Sequence, residues 1–105
     1  MGLFSSKPTP AVMNQEAGMQ ELSITVRGGY SPADISVKVG VPVRLTFDRQ
    51  EEGDCTEYVV IDECGVNQQL PPFERTTVTF TPTKVGTLPF HCGMGMVHGK
   101  IIVGA

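Results

Sequence analysis

No lysine or arginine cluster and no long apolar run occurs anywhere in this sequence of 105 residues. The first absence removes the electrostatic footprint of a nucleic-acid binder, and the net charge is −3. The longest apolar runs are about three residues, such as Val59-Val60-Ile61, far short of a membrane span. The N-terminus also lacks the basic and apolar regions of a secretory signal, which leads to the expectation of a cytosolic chain. No paired carboxylates, nucleophile-base set or phosphate loop stands out, so an enzyme is not expected. Only three cysteines occur, Cys55, Cys64 and Cys92. An odd number disfavours a disulfide framework, and in a reducing compartment clustered thiols serve as metal ligands or redox groups.

Helical periodicity is missing as well. Residues 1–19 carry Ser, Pro, Gly and Gln without a sustained period and read as a flexible leader or linker. From residue 20 to 105 the pattern is period two. "ELSITVR", "ISVKV", "VRLTF", "CTEYVVI", "TTVTF", "TLPFHC" and "GKIIV" read as short strands separated by turn residues. "DRQEEGD" reads as a solvated loop that could steer a basic docking partner, and "DECGVNQQLPPFER" as a second loop. Seven or eight such strands imply an all-β, antiparallel sandwich forming one domain.

What the chain does have is soft sulfur near its end. "FHCGMGMVHGK", residues 90–100, holds Cys92, Met94, Met96, His91 and His98. Glycine at alternate positions would weaken a core strand, whereas in a loop it lets both thioethers turn toward one point. Cys55 and Cys92 each stand near a strand end, beside Gly53-Asp54 and Gly93, where a buried core residue is less expected. His91 precedes Cys92 directly, so on a strand the two point to opposite faces.

The run "GGYSPADISVKVGVPVRLTFDR", followed by "LPPFERTTVTFTPTKVGTLPFHCGMGMVHGKIIV", resembles the cupredoxins, Greek-key sandwiches that hold copper. Electron-transfer members use an early-strand histidine, then C-x-x-H and a nearby methionine. Here Cys55 stands at the early position, and Cys92 is followed by Met94 and Met96 with no histidine three residues on; Met96 matches the axial methionine by its G-M-V context. Thiolate and thioether ligands favour copper(I), while imidazole keeps copper(II) accessible. The resemblance is nearest to membrane-tethered bacterial copper(I) chaperones and to the N-terminal cupredoxin-like domains of copper-exporting P-type ATPases. It implies a metal site of Cys55, Cys92, Met94 and Met96 holding one or two Cu+ ions. Its implied task is to buffer copper and transfer it to a copper exporter, in the cytoplasm or at the cytoplasmic membrane face. The implied partner is that ATPase or another copper-handling protein, with membrane association only through a segment outside this chain.

Two other readings remain. An electron-transfer centre would need His91 or His98 despite the wrong spacing. A zinc site could combine Cys55, Cys92 and His98, but leaves both methionines unused. Cys64 reads as a partly buried thiol, His98 as a residue that could approach the loop, and Glu57 and Glu63 as poor ligands for a soft ion.

Overall fold

The computed structural model describes residues 8–53, 56–93 and 97–105. Eleven strands lie among them: β1 (Thr9–Pro10), β2 (Val12–Asn14), β3 (Met19–Val26), β4 (Tyr30–Ser31), β5 (Asp34–Lys38), β6 (Val43–Arg49), β7 (Tyr58–Ile61), β8 (Val66–Gln69), β9 (Arg75–Phe80), β10 (Gly86–Cys92) and β11 (His98–Gly104). One sheet has the order β1-β5-β11-β10-β7-β8; the other runs β2-β3-β6-β9, with β4 also paired to β3. The only helical element among the described residues is a 3₁₀ turn, Asp62–Cys64. The expected all-β sandwich is present, but its sheets are mixed rather than antiparallel: β3 runs parallel to β6, and β5 parallel to β11.

Four strands exceed the sequence reading or replace a loop in it. Two-residue β1 and three-residue β2 lie within the expected leader: β1 pairs parallel with β5, and β2 pairs antiparallel with β3. β4 falls in the expected "GGYSP" break, and β8 falls in the expected "DECGVNQQLPPFER" loop, where it pairs with β7. Strands this short show too few alternations to register as period two. β6 also runs past the expected "VRLTF" to Arg49, two residues into the expected acidic loop.

Alternation works as the pattern requires. Along β6, Val43, Leu45, Phe47 and Arg49 point inward and are buried, while Arg44, Thr46 and Asp48 lie between them on the outer face. Ile24 and Val26 from β3, Ile35 and Val37 from β5, Phe90 from β10, and Ile101 and Val103 from β11 complete the same core. Phe47 and Phe90 meet edge to face across the sandwich at 6.2 Å, and Tyr30 packs on Phe90 at 4.8 Å.

A buried glutamine ties the sheets together. Gln20, on β3, donates from Nε2 to the carbonyls of Lys38 (2.8 Å) and Val41 (3.1 Å), and its Oε1 accepts from the Lys38 N–H (2.8 Å). Every polar atom of that side chain is thereby engaged away from water, which is the condition for burying it.

Candidate metal centre

The site is built where three strand ends meet. β10 and β11 pair antiparallel with His91 opposite His98, so the chain between them turns at one pole of the sandwich. β7 lies on the other side of β10, with Val59 opposite Cys92. Because that pairing is antiparallel, β7 starts at the pole where β10 ends. The Gly93 N–H donates to the Tyr58 carbonyl at 3.1 Å, extending the contact past the ladder. The segment just before β7, which contains position 55, and the segment just after β10, which contains positions 94 and 96, are therefore flanked by strand ends fastened side by side.

Cys92 is the one assigned ligand among the described residues; Cys55, Met94 and Met96 lie outside them. Its side chain is fully buried (0% exposed), in step with Phe90 on the inner face of β10. This corrects the expectation that a cysteine at a strand end would not be a buried residue: the inward parity of the strand persists to its last position. The turn holds the thiol closely. The Cys92 N–H donates to the Val97 carbonyl at 3.0 Å, and the Val97 N–H donates back to Cys92 Sγ at 3.4 Å. An amide donor aimed at sulfur stabilises the thiolate, the form that binds metal. A buried sulfur with an N–H pointed at it suits a soft cation.

The Cupredoxin-like domain family model matches residues 1–103. The chain belongs to the cupredoxin-like domain family. A search of curated proteins by sequence returned no match. Among solved structures, the metal-binding domain of the Streptococcus pneumoniae D39 Cu(I)-exporting P-type ATPase CopA, with Cu(I), superposes with a TM-score of 0.90 at 29% identity, covering 94% of this chain and 97% of that one. A copper-binding protein in its apo form, solved by NMR, matches with a TM-score of 0.87 at 39% identity, covering 93% and 98%. An amicyanin variant in its Cu(I) form has a TM-score of 0.60 at 21% identity over 80% and 82%, a likeness of fold alone.

Within this cupredoxin-like domain His91, His98, Cys64 and Glu63 fall away from the Cys92 thiol, whereas Glu57 directly precedes β7 at the same pole. His91 lies on the outer face as parity demands, with its side chain 28% exposed. Its Nδ1 lies 2.7 Å from the Cys92 carbonyl and its Nε2 lies 3.2 Å from Asp62 Oδ2. The hydrogen bond to that carbonyl, followed by the Asp62 carboxylate, raises the His91 pKa above its ordinary value. His98 is its cross-strand partner, the two rings 6.3 Å apart, so it shares the outer face rather than facing the buried thiol. Cys64 sits in the 3₁₀ turn beyond the far end of β7, beside Phe80 and Leu88. Leu88 is four residues before Cys92 on β10, which puts Cys64 roughly 13 Å or more down the strand. Glu63 lies next to it, at that same far end. Among the described residues, no group of three His, Cys, Asp or Glu side chains is arranged to hold a metal ion.

Sequence reasoning missed two residues at this pole, Arg49 and Thr56. Both are buried, at 1% exposure each. The signal for Arg49 was available: it continues the inward series of Val43, Leu45 and Phe47. The expected acidic loop begins at Asp48 and takes in Arg49, since charged residues at a strand end ordinarily belong to the solvent side.

Proposed function

We propose that this domain binds copper(I) through Cys55, Cys92, Met94 and Met96, taking one or two ions, and passes them to a copper exporter. The observation carrying the proposal is the buried Cys92 sulfur, which accepts the Val97 N–H at the pole where the segments containing Cys55 and the methionines begin or end. Two similar solved structures, a Cu(I)-exporting ATPase domain and a copper-binding protein, favour copper as the cargo.

Two thiolates supply the strong donors. Two thioethers, softer and neutral, supply weaker ones that can let go first. Transfer proceeds by ligand exchange: a thioether leaves, an incoming thiolate of the acceptor bonds to copper, and the domain's cysteines release in turn. Copper stays monovalent throughout, so no electron source is needed. The domain acts as a carrier or a regulatory module rather than as an enzyme, in the cytoplasm or at the cytoplasmic face of the membrane, with a copper-exporting P-type ATPase as acceptor.

Anaerobic titration against a coloured copper(I) chelator tests this. Cys55→Ser and Cys92→Ser should each weaken binding by at least about tenfold, equivalent to about 1.4 kcal/mol. Met94→Leu and Met96→Leu should weaken it less. Unchanged affinity in both cysteine variants refutes the assignment. The electron-transfer alternative requires an imidazole ligand, and the outer-face position of His91 and His98 speaks against it.

A further inference from the structure

Arg49 is a buried cation at the pole that carries Cys92. It follows Phe47 on the inner face of β6 as Cys92 follows Phe90 on β10, and those two rings face each other at 6.2 Å. The loop leaving Arg49 leads directly to the start of β7, which is hydrogen-bonded to the end of β10.

The guanidinium spans that loop. Nη2 donates to the Gly53 carbonyl at 2.5 Å, Nε to Thr56 Oγ1 at 3.3 Å and Nη1 to the Leu70 carbonyl at 2.7 Å. Gly53 and Thr56 stand on either side of positions 54 and 55 in the sequence. Thr56 in turn donates its hydroxyl to Glu51 Oε2 at 2.5 Å, and Glu51 Oε1 accepts from the Gly28 N–H at 2.7 Å. One side chain thus holds the Gly53 carbonyl and the Thr56 hydroxyl, on either side of the pair that contains Cys55 in the sequence, and links both to Leu70 just after β8.

Its charge matters as well as its hydrogen bonds. No carboxylate among the described residues forms an ion pair with Arg49; Glu51 is reached only through the Thr56 hydroxyl. Burying a cation without a directly bonded counter-ion is costly. A copper(I) ion held by two thiolates carries a net charge of −1, and a positive charge at the same pole offsets it.

We infer that Arg49 is a positioning residue of the metal centre: it holds Gly53 and Thr56, the described residues on either side of positions 54 and 55, and supplies positive charge that offsets the anionic copper dithiolate. The inference rests on the copper(I) reading above. Lysine keeps the charge but lacks the rigid fork that reaches three acceptors, so the two contributions separate by substitution.

The test is anaerobic copper(I) competition across pH for the wild type, Arg49→Gln, Arg49→Lys, Thr56→Val and Cys92→Ser, each first checked for its native fold by NMR. Arg49→Gln should lose at least about tenfold in affinity and should need a higher pH to load copper. Arg49→Lys should restore the wild-type pH profile while remaining weaker in affinity. Thr56→Val, which keeps the guanidinium, should bind severalfold more weakly with an unmoved pH profile. A folded Arg49→Gln variant with wild-type affinity overturns the proposal. Equal losses in Gln and Lys variants with no movement of the pH profile overturn the charge contribution. Should Arg49→Gln fail to fold, wild-type affinity in both Arg49→Lys and Thr56→Val overturns it instead. Copper binding unaffected by Cys92→Ser and Cys55→Ser would bring down the copper reading itself, a result distinct from failure of the Arg49 variants alone.

Discussion

Cys64 and Cys92 show how position on a strand sorts identical side chains into different chemistry. Cys92 ends β10, fully buried, with a backbone N–H directed at its sulfur. Cys64 lies in a short turn, partly covered, where burial first and the neighbouring Glu63 carboxylate second push its thiol pKa above 9.0. The native state therefore holds that proton more tightly than the unfolded chain. Its contribution to stability is complete below pH 9.0 and declines as pH rises through the elevated value. Alkylation of Cys64 at pH 8, followed by peptide mass spectrometry, should run slower than that of an unhindered thiol, and Glu63→Gln should accelerate it. A rate matching a free thiol would show that neither burial nor charge governs the site. The sequence made the softness of this sulfur set legible, since residue type alone carries it. It did not reveal which cysteine is protected, because neither the inward parity of Cys92 nor the Val97 N–H is visible until the register of β10 and β11 is known.

At the level of strands, the register of β10 against β11 depends on one close approach. Gly99 faces Phe90, and a Cβ added there would stand 2.3 Å from the ring edge and 2.6 Å from the Ala33 carbonyl oxygen. The ring alone could rotate. The carbonyl cannot yield cheaply, because it accepts the Lys100 N–H at 2.8 Å. Gly99→Ala should therefore cost about 1–3 kcal/mol, read as a lower urea midpoint, and should loosen the pairing that shapes the Cys92 turn. The period-two segments β3, β5, β6, β9, β10 and β11 were readable because each alternates over five or more residues. β1, β2 and β4 were not, because two or three residues cannot establish a period; β8 was not, because Val66 is followed by three polar, exposed residues. Arg49 was missed for a related reason. Its parity was correct, but a charge on the buried face makes sense only once the carbonyls of Gly53 and Leu70 are seen to surround it.

For the whole molecule, Cys92 and Cys64 stand at opposite ends of one sandwich. Copper(I) bound only by the folded state should raise the melting temperature in step with its concentration over the dissociation constant. The same linkage predicts a smaller rise in Cys92→Ser at equal copper concentration. What the sequence could not convey at this scale is how the start of the chain is used. Residues 9–14 lie along an outer strand of each sheet in turn, β1 beside β5 and β2 beside β3, with Ala11 between them. An unpaired strand margin is a template for joining another molecule. This short strap occupies two such margins at once, so clipping the chain after Asn14 would uncover β5 and β3 together. Self-association of the trimmed protein, followed by light scattering, is the expected result, and it would appear even with the copper pole intact.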